Sequence, residues 1–256
     1  MTMAINVAAV QYGTSNPTAA VNLDKAMHLL DDAAHLSDLV LLPLNSFLNL
    51  VDDCDLHEIA EPWGGPLSAI GAQIAVMRNC YICYSMIERD GDRIYNTSVL
   101  FAPNGVLLGR QRKTHLTEWE RAGGLSTGDA LNVFASNIGN IAILAIEETM
   151  DVETVRSLQG KKAQILLVPA EVRVDSPDNF GNAIGRWERL VRALAVRGRW
   201  CVVAANKIGS ARDGTFIGNS LLMDVSGEVL ARGVLDKEQV ARASAVVPPR
   251  GTARAE

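Results

Sequence analysis

Short apolar runs alternate with amphipathic stretches along most of this chain. Ile5–Val10 and Leu39–Leu42 have the length and composition of buried strands. Between them, Asn16-Pro17 reads as a helix cap and first helical position, and Ala20, Leu23, Met27, Leu30 and Ala34 recur at helical spacing. A second helix is predicted from Pro66 to about Arg78, followed by a strand over Tyr81–Met86. Asp90-Gly91 reads as a hairpin turn between Met86–Glu88 and Ser98–Phe101, and Asn104-Gly105 as the link to Val106–Leu108. Further strands are predicted at Leu131–Phe134, Ile141–Ile146, Ile165–Val168, Cys201–Ala205, Ser220–Met223 and Val229–Ala231, with helices at Val152–Gln159 and Asn182–Arg197. Hairpins mixed with strand–helix crossovers define an α/β protein.

Composition narrows the class. With 256 residues, 48% hydrophobic and 21% charged, the chain can bury a sizeable core in one large domain. That domain is expected over residues 1–247, with Pro248–Glu256 as a poorly ordered tail. A formal charge of −5 with interspersed signs gives no electrostatic reason to seek nucleic acid or an anionic membrane. No apolar run approaches the roughly 20 residues that span a bilayer. The start, MTMAINVAAVQYG, lacks the features of a signal peptide. Four scattered cysteines do not form a disulfide framework, so a reducing cytoplasm is expected.

Short motifs add little. Cys80 and Cys83 have CxxC spacing, but an offset of three in a strand turns the sulfurs to opposite faces. Buried core thiols are the better reading. His28, His35, His57 and His115 form no ligand pattern, Gly64-Gly65 and Gly123-Gly124 are turn punctuation, and no GxSxG elbow occurs. Neither a metal nor a cofactor is predicted.

Longer segments are more informative. They are Asp38–Pro43, Glu88–Asn96, Pro103–Gly105, Arg112-Lys-Thr-His-Leu116, Ile138–Ile146 with Glu153 and Arg156 beyond, Ala204–Asn206, and Phe216-Ile-Gly-Asn-Ser220 with Asp224–Gly227. In this order and spacing the chain resembles the nitrilase superfamily of carbon–nitrogen hydrolases, from the opening strand to about Gly233.

The resemblance implies a four-layer αββα sandwich that pairs into homodimers or larger homo-oligomers. It also implies cofactor-free hydrolysis of nitriles, amides or carbamoyl compounds, in which a Glu acts as general base, a Lys stabilises the tetrahedral intermediate and a Cys attacks. The lysine carries over as Lys113 and its supporting carboxylate as Glu120. The base position, after the proline that ends the second strand, is Leu44. Matching Glu153 and Arg156 to the family's Pro-Glu…Arg puts the nucleophile position at Ile146. The usual Tyr-Asp that follows becomes Glu147-Glu148, and the family's Arg-Ala-Arg-Ala-Ile-Glu-Asn becomes Arg192–Gly198. Leucine accepts no proton and isoleucine attacks no carbon, so the family's mechanism cannot run as written. Register shifts do not rescue it, because no cysteine lies between Cys83 and Cys201; Cys54, ten residues past Leu44, is a remote candidate.

Two readings follow. In one, the chain is a pseudoenzyme whose fold serves ligand binding or assembly, with its own copies or with an active paralogue, and Lys113–Glu120 is a retained ion pair. In the other, Lys113, Glu120 and Glu147 carry repurposed, non-thiol chemistry on a small nitrogen-containing molecule, as a lyase, isomerase, ring-forming or water-mediated hydrolytic enzyme. On a strand, Glu147 and Glu148 would face opposite ways, so only one is expected in the pocket.

Overall fold

The computed structural model describes residues 2–14, 19–48, 55–211 and 214–249. The predicted cap at Asn16-Pro17, the candidate Cys54 and the tail from Arg250 onward lie outside these residues.

Two sheets stack face to face. In the first, Gln239–Val247 pairs antiparallel with Met3–Gln11, which runs parallel to Leu39–Leu41 and, beyond it, Tyr81–Asp90. Arg93–Phe101 and Leu107–Arg112 continue the sheet as antiparallel neighbours. The second sheet has Gly139–Ile143, Ile165–Pro169 and Cys201–Ala205 as its parallel centre. Val133–Ser136 flanks one side, and Leu221–Met223 with Val229–Arg232 the other.

The interior between the sheets is aliphatic: Val7, Leu39, Leu41 and Leu100 meet Ile143, Leu167, Val203 and Leu222. Helices Ala19–His35 and Pro66–Arg78 cover the outer face of the first sheet. Helices Val152–Gly160 and Phe180–Gly198 cover that of the second, where Trp187 and Trp200 are buried. The result is the expected αββα sandwich. Parallel central strands buried on both faces explain why the sequence shows near-continuous apolar runs there rather than alternation.

Several elements differ from the sequence reading. Tyr81–Asp90 is one unbroken strand, with Gly91 at φ +60° in the two-residue turn that returns to Arg93. Cys80 packs toward the first helical layer and Cys83 into the inter-sheet core, the opposite faces their spacing predicts. The strand Gln239–Val247 was not anticipated, and Gln164 Nε2 donates to the Pro248 carbonyl just beyond it.

Candidate active site

Parallel strands of both sheets deliver their C-terminal ends to one region, where an open α/β sheet characteristically places its ligands. Leu44, Ile146, Glu171 and Lys207 each lie just past such a strand. Lys113 follows Leu107–Arg112, its backbone held by Lys113 N–H to Asn96 O at 2.9 Å and by Gly128 N–H to Lys113 O at 2.7 Å.

Lys113, Glu120 and Glu147 come together. Lys113 Nζ donates to both carboxylate oxygens of Glu120 at 2.8 Å and lies 3.1 Å from Glu147 Oε2. Glu120 is set by a local device: Thr117 caps the helix Glu118–Ala122, and Glu120 Oε2 accepts from Thr117 N–H at 2.8 Å. This capping box turns the glutamate back toward the helix start and onto the lysine. Asn96 Nδ2 adds a third support, donating to Glu120 Oε1 at 3.0 Å.

Lys113 and Glu120 are sealed, whereas the Glu147 side chain keeps 33% of its surface exposed. Burial works against the charge on Lys113, but the carboxylates of Glu147 and Glu120 outweigh it and hold the ammonium above its ordinary pKa. Burial lifts the Glu147 carboxyl above the usual carboxylate range, and Glu120 adds to the rise, although Lys113 opposes it.

Glu147 and Glu148 do not sit on a strand. The strand stops at Ile143, and residues Ile146–Met150 form a 3₁₀ turn. Three-residue periodicity, not alternation, therefore sets their directions. Glu147 meets Lys113, while Glu148 is consumed by Ala145 N–H at 2.9 Å and by the Thr114 N–H and hydroxyl at 2.6 and 2.8 Å. Ile146 packs against the outer core of the second sheet, and Leu44 is buried.

A second buried ion pair adjoins this centre and was not foreseen. Lys207 Nζ lies 2.6 Å from Glu171 Oε1 and donates to the carbonyls of Asn45 at 2.9 Å and Leu48 at 2.8 Å. Burial pulls its ammonium below the ordinary lysine range, against the pull of Glu171. Asn45, in the left-handed region at φ +47°, links the two centres. Its Nδ2 donates to Glu171 at 3.1 Å, and its Oδ1 accepts from Asn96 at 3.1 Å. The sequence signal was a lone charge after each apolar run, in Pro169-Ala-Glu171 and Ala205-Asn-Lys207.

The Phe216–Ser220 segment braces this region. Asn206 Nδ2 donates to Gly218 O, Gly218 N–H donates to Lys207 O, and Ser220 N–H donates to Gln11 Oε1. Gly218 sits at φ +60° with the space for a Cβ filled by the Leu235 carbonyl, so only glycine fits. Among the described residues, no cluster of three or more His, Cys, Asp or Glu side chains could hold a metal, and no helix is long and apolar enough to cross a membrane.

A family model for carbon–nitrogen hydrolases matches residues 6–247. An (R)-stereoselective amidase of Pseudomonas sp. is 27% identical over 222 residues, covering 86% of this chain and 78% of the relative. Deaminated glutathione amidase of Homo sapiens is 29% identical over 240 residues, covering 86% and 70%. A carbon–nitrogen hydrolase from Helicobacter pylori G27 has a TM-score of 0.85 at 20% identity, covering 94% of this chain and 89% of that one. An amidase from Nesterenkonia sp. AN1, with acrylamide added at its active-site cysteine, has a TM-score of 0.79 at 19% identity, covering 93% and 92%. The structural matches show a shared fold. The family model spans nearly the whole sequence, and by that measure this chain belongs to the carbon–nitrogen hydrolase family.

Proposed function

We propose that this chain is a non-hydrolysing member of its family, a pseudoenzyme that keeps the fold to bind a small molecule or to assemble. The observation that carries this reading is the closure of Lys113 between Glu120 and Glu147. An ammonium has three N–H groups. Two bonds to Glu120 and the approach of Glu147 leave none to stabilise an oxyanion, which needs a donor aimed at the place where charge develops. Aliphatic side chains at 44 and 146 supply neither base nor nucleophile. The described cysteines do not substitute for them: Cys80, Cys83 and Cys201 are buried, and burial pushes the Cys80 and Cys201 thiols up to about 12. A thiolate at neutral pH is thereby disfavoured.

Ammonia release from nitriles, primary amides and N-carbamoyl compounds tests this reading. The wild type is expected to be silent, and Leu44→Glu with Ile146→Cys is expected to gain a trace of activity. Wild-type turnover would contradict the proposal.

Glu147 favours one alternative. A carboxyl with a raised pKa, part-exposed beside a lysine, is equipped for proton transfer in non-thiol chemistry. Turnover lost in Glu147→Gln but kept without cysteines would select that reading.

The chain is also proposed to be cytoplasmic and to pair with a second copy or with an active paralogue. An apolar groove of about 640 Å³ between helices Val152–Gly160 and Phe180–Gly198, with Val152 and Met150 exposed nearby, supports pairing on that face. Sedimentation giving only a 27.5 kDa species at micromolar concentration would count against the homodimer.

A further inference from the structure

Lys113 Nζ meets two carboxylates that are held very differently. Glu120 is fixed by side chains and backbone together: both its oxygens accept from Lys113 at 2.8 Å, Asn96 Nδ2 donates to Oε1, and the Thr117 N–H and hydroxyl donate to Oε2. Glu147 brings Oε2 to 3.1 Å from Nζ, and among the described residues no donor is aligned for a hydrogen bond to that atom. The Glu147 side chain is 33% exposed, against 5% for Glu120. Glu147 is therefore the looser partner, and its withdrawal opens Lys113 toward solvent.

The backbone that carries Glu147 does not depend on this contact. In the 3₁₀ turn Ile146–Met150, Glu148 accepts from the Ala145 N–H and from the Thr114 N–H and hydroxyl. The Thr149 hydroxyl donates to Ile146 O at 2.6 Å. Truncating Glu147 leaves these bonds in place. While the side chain is present, it acts at a high effective concentration, which a free anion must exceed to displace it.

We propose that Glu147 is an internal plug: its carboxylate covers the part of Lys113 that Glu120 leaves open and excludes small carboxylates, and withdrawing it creates a site for one. This rests on the non-hydrolysing reading, in which Lys113 is closed rather than aimed at a substrate. The ligand class follows from the plug itself. Glu147 presents a –CH2–COO⁻ group to the ammonium, and acetate is that group untethered. An ammonium holds a carboxylate by charge-assisted hydrogen bonding, whereas a neutral amide brings no charge to it.

Glu147→Ala removes that group and leaves room for it. Thermal-shift titrations with sodium acetate, against sodium chloride at equal ionic strength and against acetamide, compare this variant with the wild type and Glu147→Gln. Acetate is expected to raise the Tm of Glu147→Ala saturably, by about 2–4 °C once it exceeds its Kd several-fold. The wild type keeps its plug and Glu147→Gln fills the space with a neutral side chain, so neither should rise beyond the chloride control. Acetamide should raise none of them. Glu147→Ser, also truncated, should repeat the response of Glu147→Ala, and adding Lys113→Met should abolish it. An equal rise in the wild type, an equal rise with acetamide, a response that survives Lys113→Met, or no acetate-specific rise in the truncated variants overturns the inference. So does loss of cooperative melting in both truncated variants, because withdrawing a plug leaves the frame standing. Ammonia release from butyramide by the wild type would instead contradict the non-hydrolysing reading, so the two failures are told apart.

Discussion

Two lysines lie buried a few hydrogen bonds apart in this protein, and their pKa values move in opposite directions. Lys113 faces two carboxylates, whose attraction exceeds the cost of burial. Lys207 faces one carboxylate and two backbone carbonyls, and burial prevails. Two carboxylates offset burial at Lys113, whereas at Lys207 burial is the larger effect, one carboxylate opposes it and the Arg173 guanidinium adds to it. The partners also divide the roles. Lys207 is tied to backbone and fastens the segment that follows Leu39–Leu41, whereas Lys113 is held by side chains alone, one of which reaches solvent.

Removing Lys207 should therefore do the most damage. Lys207→Met leaves Glu171 with Asn45 as its remaining hydrogen-bond donor among the described residues and frees the carbonyls of Asn45 and Leu48. A loss of about 3–5 kcal/mol in denaturant unfolding is expected. Lys113→Met should cost less, about 1–3 kcal/mol. Glu120 keeps Asn96 Nδ2 and the Thr117 N–H and hydroxyl as donors, and Glu147 can take up a proton. Equal losses would remove the distinction between the centres.

Alkaline pH sharpens the contrast. The folded pKa of Lys113 is raised, so its contribution is complete below the ordinary lysine value and is lost as pH climbs through the folded value. The folded pKa of Lys207 is lowered, so the unfolded chain binds more protons in the window below the ordinary value, and stability rises with pH there. Wild-type stability minus that of Lys113→Met should fall toward the alkaline end. The same difference with Lys207→Met should grow. Parallel curves would contradict these opposite shifts. Glu147→Gln is expected to change stability by less than about 1 kcal/mol at neutral pH, because its carboxylate is partly screened by solvent.

Much of this was legible in the sequence for local reasons. The helix Pro66–Arg78 follows from a proline at its first position and a left-handed Asn79 after its end. The Lys113–Glu120 pair was legible only through the family resemblance, and the capping box Thr117-x-x-Glu120 is the local cause that the structure adds. The illegible parts depend on distant partners. Gln239–Val247 has few large apolar residues and becomes a strand by pairing with Met3–Gln11, more than 200 positions away. Asn45, Glu171 and Lys207 form a cluster only when strands of the two sheets bring their ends together. The strand predicted over Ile141–Ile146 stops at Ile143, and a 3₁₀ turn follows at Ile146–Met150, where Glu148 caps Ala145 and pins Thr114, contacts that no periodicity encodes.

The central claim is that no cysteine of this chain acts as a nucleophile. It is tested most directly by comparing the purified wild type with a variant carrying Ala at Cys54, Cys80, Cys83 and Cys201, on nitriles, primary amides and N-carbamoyl compounds. No thiol-dependent turnover is expected: the wild type should be silent, and any residual activity should persist in the variant. Turnover by the wild type that disappears in a folded variant would show that one of these thiols attacks substrate, and would contradict the account.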